Sequence, residues 1–114
     1  VDAIVPQACG CRVADTAELA ALRAVFGDRL AELPFVTLAP NVGDLGAGAG
    51  ALAATIAAVC LDRQALPARI HHGNPEEGVQ VGPAASESRS LRKVLVCTGS
   101  IGGQCGALVL SKAT

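Results

Sequence analysis

The stretch from Leu45 to Leu61 carries no charged side chain, and it limits what this chain can fold into more than any other segment does. Ala49, Leu52, Ile56 and Val59 do not segregate from polar neighbours, because almost none are present. A helix that is apolar all round is buried all round. A membrane span is the competing explanation, but the run sits at the short limit of the roughly 17 to 25 residues that a span needs, and its Gly and Ala make it weakly hydrophobic. The helix is therefore expected inside a protein core. The remaining elements, a few short strands and one amphipathic helix, suffice to cover one of its sides and not both. A second body of polypeptide is expected against the other.

Those remaining elements read as alternating β and α. Ala3-Ile4-Val5 is an apolar run short enough for a buried strand, stopped near Pro6 and Gly10. Asp15-Thr16-Ala17-Glu18 has the form of a capping box, Leu19, Leu22 and Phe26 then share one helical face, and Gly27 can end the helix. Phe35-Val36-Thr37-Leu38 is a second strand candidate between Pro34 and Pro40, and Ala68-Arg69-Ile70 is expected to pair briefly. Residues 73–90, rich in Gly, Pro, Ser and Glu, read as a long loop, a length usually functional or mobile. Lys93 to Cys97 is a strand, the Gly-rich segment after it a turn, and Ala107 to Leu110 the return strand of a hairpin. With 114 residues, the chain has the size of one domain with one core.

Hydrophobic residues make up 51% of the chain and aromatics only 2%, so that core is built from Ala, Val, Leu and Ile. The net charge of -1 offers no clustered Lys and Arg for nucleic acid or an anionic membrane, and neither is expected as a partner. Five cysteines, an odd count with no secretory signal before them, favour a reduced, cytoplasmic setting over a disulfide framework. No C-x-x-C pair supports zinc, and the adjacent His71-His72 reads as a solvated loop. Cys9 and Cys11 point to one face of a strand end, where an activated thiol is one reading. Without a His or Lys nearby in sequence, small packing side chains are the preferred one. No metal site and no cofactor are expected.

Three segments together, Gln7-Ala8-Cys9-Gly10-Cys11, Asn41-Val42-Gly43-Asp44 and Thr98-Gly99-Ser100-Ile101-Gly102-Gly103, resemble in order and spacing the C-terminal half of a β-ketoacyl synthase, the condensing enzyme of fatty-acid and polyketide assembly. The family's first segment reads His-Gly-Thr-Gly-Thr and leads through Gly-Asp into a helix carrying Glu. Gln7 stands at the His, and Ala14-Asp15 and Glu18 stand for the rest. The second reads Lys-Ser-x-x-Gly-His before a run of Ala and Gly, so Ala39 stands at the Lys and Asp44 at the His. The third reads Gly-Phe-Gly-Gly and is matched by Gly99 to Gly103. Thiolases and hydroxymethylglutaryl synthases share the fold, and Cys97 before a Gly-rich turn has some likeness to a thiolase's second Cys. Gly43-Asp44-Leu45 nevertheless lacks the His and Pro of the thiolase motif.

This resemblance implies an α/β fold, the C-terminal half of a thiolase-like layered α/β/α/β/α arrangement with a mixed sheet, in which the apolar helix lies in the middle layer against its counterpart from the N-terminal half. It implies no catalytic residue here, since Gln7, Asp44 and Ala39 occupy the positions of the two His and the Lys, and the nucleophilic Cys of the family belongs to the N-terminal half. Gly99, Ser100, Ile101, Gly102 and Gly103 are implied to border an acyl-pocket entrance, left open at Gly99 where the family commonly carries Phe, so that Gly99→Phe is expected to narrow it. The partners implied are the N-terminal half of the same fold, a second ketosynthase-like subunit and an acyl carrier protein. The expected function is a catalytically degenerate component that completes the fold and acyl pocket of a condensing complex, like a chain length factor. The alternatives are a divergent thiolase-like acyltransferase using a Cys in the other half, and a purely structural half-domain. A start directly in a strand leaves a split gene product, a processed product or a fragment open.

Overall fold

The computed structural model describes residues 1–71, 73–100 and 102–113. Its centre is a mixed sheet in which β1 (Ala3–Val5) runs parallel to β4 (Lys93–Gly99), and β4 pairs antiparallel with β5 (Cys105–Ser111). The hairpin is longer than expected at both ends, its ladder running from Lys93 opposite Ser111 to Gly99 opposite Cys105. All three β1 residues are fully buried. Side chains alternate across a strand, so Ala3 and Val5 join Val94 and Val96 in one cluster, while Ile4 joins Leu22, Leu30 and Phe35 in another on the opposite face.

Two helices cover those faces. On one lies α1 (Arg12–Phe26), which buries Leu22 and half-buries Leu19 and Phe26, as their shared helical face predicts. On the other lies α3 (Ala49–Arg63), whose Ala53, Ala57, Cys60 and Leu61 pack on the sheet. Small residues let α3 come close: a Cβ on Gly50 would stand 3.1 Å from the Thr98 methyl. Regular helix starts at Ala49, four residues later than the apolar run, because a short helix α2 (Ala39–Val42), a left-handed Gly46 (φ 57°) and a 3-10 turn over Gly46–Gly48 precede it.

Other boundaries also shift. The α1 helix begins at Arg12 with no side-chain cap at Cys11, so Asp15 to Glu18 lies inside the helix and is not its capping box. The expected strand at 35–38 shrinks to a parallel bridge between Phe35 and Ile4, with Ile4 N–H donating to Pro34 (3.0 Å) and Val36 N–H to Ile4 (2.8 Å). It extends no further because the next bond of that ladder would need an N–H from Pro6, which has none, and the chain turns into α2 after Leu38; the Phe35 carbonyl faces away from β1 and accepts from Arg69 Nη1 (2.9 Å).

Residues 73–90 lack long elements but are tied down along their length. Gln80 bridges Pro34, Ala84 bridges Arg69, Arg69 Nε donates to Gly82 (2.6 Å), and Val79 and Val81 pack on the Ile4 cluster. Near the end of this segment β3 (Glu87–Ser88) pairs with β2 (Ala65–Leu66), which follows α3. Gln64, left-handed at φ 51°, closes this corner: its carboxamide donates to Leu61 (2.7 Å) and Leu91 (2.8 Å) and accepts from Leu91 N–H (3.0 Å).

The outer face of α3, comprising Ala51, Thr55, Ala58 and Val59, is exposed. Leu108 is 48% exposed and shares the α3 side of the sheet with its partner Val96. One side of the helix is thus covered by this chain and the other is not. No helix among the described residues is long and apolar enough to cross a membrane. Residues 1–114 alone are therefore expected to self-associate, and Val59→Lys combined with Leu108→Lys to reduce that association. Sedimentation velocity over a concentration series checks this, and a monomer with a cooperative melt would contradict it.

Candidate functional site

Parallel strands deliver the residues that follow them to the same edge of a sheet, where ligand sites of α/β folds gather. The segment after β1 and the end of β4 meet there. Gln7 Nε2 donates to the Gly99 carbonyl at 3.0 Å, joining residues 92 positions apart. The start of α3 reaches the same edge through the contact of Gly50 with Thr98. The first and third sequence motifs are thus in direct contact, and the run following the second touches the third.

The 7–10 turn is built by two carboxylates of α1. Glu18 accepts from Gln7 N–H (2.7 Å) and Ala8 N–H (2.9 Å) through separate oxygens. Asp15 accepts from Gly10 N–H (3.1 Å) and from the Cys9 thiol (3.7 Å). The residues that resemble a capping box therefore reach back beyond the helix. Ala8 sits at φ 38°, and a left-handed residue with a Cβ costs about 1–2 kcal/mol. The two hydrogen bonds to Glu18 hold Ala8 in that conformation.

Burial pushes the Glu18 carboxyl above its ordinary value, and neighbouring Asp15 adds to this. The two backbone hydrogen bonds offset only part of the rise. Cys97, half-buried on the same side of the sheet, is pushed up to about 11 by burial and then by the Glu18 charge. Burial also raises the Cys60 thiol. Neither is poised as a thiolate nucleophile.

Asp44 is exposed and its Oδ1 accepts from Gly46 N–H at 2.8 Å, a local turn that sets up the entry to α3. Ala39 opens α2, and its carbonyl accepts from Gly43 N–H (2.8 Å). Among the described residues no hydrogen bond links Asp44 or Ala39 to Gln7 or to the 98–103 segment. Ser100 and Gly103 make a tight exposed turn through Ser100 N–H to Gln104 (2.9 Å) and Gly103 N–H to Ser100 (3.1 Å), with Ser100 Oγ bonded to Gln104 Oε1. Gly102 is exposed in the same turn, and Ile101 lies outside the described residues. The space at Gly99 is filled: a Cβ there would lie 2.7 Å from Gln7 Oε1, so a Phe does not fit unless Gln7 moves.

Of two concavities, the first lies away from the 7–10 turn and the second reaches it through Ala8, Gly10, Asp15 and Glu18. One of about 240 Å³ is apolar and runs between α2 and α3, lined by Val36, Leu38, Val42, Leu52 and Ile56 with Arg69 at its rim. The other, an open groove of about 580 Å³, lies between α1 and the 71–81 segment, with Arg12, Glu18, Arg23, His71 and Glu76 on its walls. Neither is lined by the 99–103 turn. No cluster of three His, Cys, Asp or Glu suited to a metal occurs among the described residues, and His72 lies outside them. Sequence reasoning missed the Glu18 clamp and the half-buried Arg69, which donates to Gly82 and Phe35. The regular spacing of Asp15 and Glu18 was visible, but it pointed to a cap instead of to the preceding turn.

The profile of the family described as β-ketoacyl synthase, C-terminal domain, matches residues 1–73. Over 114 residues the chain is 30% identical to the 3-oxoacyl-[acyl-carrier-protein] synthase 2 of Coxiella burnetii (strain RSA 493 / Nine Mile phase I), an alignment covering 98% of this chain and 28% of that protein. The chain thus spans little more than a quarter of the length of this relative.

Two outcomes follow from the site's electrostatics. A Glu18 carboxyl raised in the folded state binds its proton more tightly than in the unfolded chain. Its contribution to stability is therefore full below about 4.5 and is lost as pH rises through the raised folded value. Denaturant midpoints should show the unaltered protein losing stability relative to Glu18→Gln across that window, and no divergence above it. In alkylation at pH 8 followed by mass spectrometry, exposed Cys11 and Cys105 should be modified in the folded protein, while Cys97, roughly one part in a thousand thiolate, and buried Cys60 should react only on unfolding.

Proposed function

The chain belongs to the β-ketoacyl synthase family as a C-terminal domain, and from that premise we propose that it is a catalytically degenerate component of a fatty-acid or polyketide condensing complex. In this reading it completes the fold and the acyl pocket without doing the condensation chemistry, like a chain length factor. The observation that carries it is that both groups standing at the family's His positions are committed to backbone amides: Gln7 to the Gly99 carbonyl and Asp44 to the Gly46 N–H. A carboxamide cannot exchange a proton near neutral pH as imidazole does. A carboxylate near a reaction that builds negative charge opposes the stabilisation such sites supply.

The exposed apolar face of α3 supports a role for the N-terminal half of the same fold as its cover. A second ketosynthase-like subunit and an acyl carrier protein are the further partners in this reading, and the 99–103 turn borders the route to the pocket that those halves would form together. A cytoplasmic setting goes with it. Malonyl decarboxylation by the protein isolated with every co-purifying polypeptide, each identified by intact mass, tests the proposal. Asp44→Asn should change turnover less than threefold, against the roughly hundredfold loss typical of removing a catalytic acid or base. A hundredfold loss would favour the divergent acyltransferase, and a complex with neither a condensing subunit nor activity would leave a structural half-domain.

A further inference from the structure

We infer that Gln7 and Gly99 form one interlocked unit, in which the Gln7 carboxamide latches the carboxyl end of β4 to that of β1 and fixes the base of the 99–103 turn. Gly99 is the residue that leaves room for the latch. The hydrogen bond from Nε2 to the Gly99 carbonyl is 3.0 Å long. The other end of the latch is held as well, since Gln7 N–H is bound by Glu18 at 2.7 Å. A Cβ built on Gly99 meets as its three nearest atoms the Gln7 Oε1, Cδ and Nε2, at 2.7, 3.3 and 3.5 Å.

Backbone conformation does not demand glycine at this position, because Gly99 is not among the residues with positive φ. What a side chain here would meet is the carboxamide itself, so it is accommodated by displacing the latch. The turn starts at the next residue, where Ser100 N–H donates to the Gln104 carbonyl, so fixing Gly99 fixes the first bond of the turn. Two positions far apart in sequence are therefore one physical unit. Gln7 acts as a positioning residue through Gly99, and this stands independently of whether the complex condenses acyl groups.

A double-mutant cycle tests the latch in the protein as isolated with its co-purifying chains, using Gln7→Ala, Gly99→Ala, the double variant and the near-isostere Gln7→Glu, which keeps the volume but has no N–H to donate. Backbone amide exchange of the 98–105 peptide is read beside that of the buried 93–97 strand. Gln7→Ala and Gln7→Glu should each speed exchange in 98–105 at least tenfold and leave 93–97 unchanged. Gly99→Ala should do the same alone, yet add nothing in the Gln7→Ala background, where the clash is gone. If Gly99→Ala fails to fold, recovery of folding in the double variant supports the latch as directly. Additive effects of the two substitutions, no recovery, or unchanged exchange in Gln7→Glu would each overturn it.

Discussion

β1 pairs in parallel with β4 over only three residues, Ala3, Ile4 and Val5 against Val94, Leu95 and Val96. A three-residue strand serves two cores at once, because alternation sends Ala3 and Val5 toward α3 and Ile4 toward α1. Removing a buried Ile side chain costs about 2–5 kcal/mol, a large share of the roughly 5–15 kcal/mol that holds a typical domain together. The register is pinned before the strand starts. Asp2 N–H donates to the Lys93 carbonyl (2.8 Å), and its carboxylate accepts from Arg92 N–H (2.8 Å) and Lys93 N–H (2.9 Å). Burial raises the Asp2 pKa, but those backbone bonds and the nearby positive charges outweigh it and hold the carboxyl low. A slip of one residue would exchange the two cores and separate Gln7 from Gly99.

Close approach replaces bulk in this core. With few aromatics to fill space, packing density comes from backbones that come near one another, and α3 achieves this with Gly50, Ala53 and Ala57 against the sheet. Thr98 shows the degree of fit: a Cβ on Gly50 would stand 3.1 Å from its methyl, and one on Gly106 2.9 Å from its hydroxyl. A helix made of small residues has little area to bury on each side, so covering one face leaves it weakly held. The uncovered face of Ala51, Thr55, Ala58 and Val59 is where further burial is available.

Much of this was legible in the residues. The apolar runs at 3–5, 45–61 and 93–97 hold β1, α3 from Ala49 onward, and β4, because uninterrupted hydrophobic segments have no soluble alternative to burial. The hairpin followed from its Gly-rich turn. What could not be read was where polar side chains reach through space. Asp15 and Glu18 have the spacing of a capping box, yet the helix began a turn earlier and left both carboxylates free to hold the 7–10 turn. The strand at 35–38 stops at a bridge because its partner β1 runs into Pro6, which has no N–H to continue the ladder, and sequence alone does not say which strand is the partner. Gly99 looked like an opening because a glycine's empty space in sequence says nothing about which distant side chain occupies it in the fold.

Three glutamines share one task in this chain, and that task bears on the site. Gln64 pairs with both the N–H and the carbonyl of Leu91, Gln80 donates to Ala31 (3.0 Å), and Gln7 donates to Gly99. A carboxamide carries donor and acceptor together and stays neutral at any ordinary pH, so it can bridge backbone groups in a half-buried place with no ionisation cost. An imidazole at residue 7 would bring a group that exchanges protons near neutrality but has to commit its two ring nitrogens by tautomer. The carboxamide at residue 7 makes a fixed joint between strand ends. Glu18, holding the backbone of the same residue from the other side with a carboxyl whose pKa burial raises, belongs to that joint.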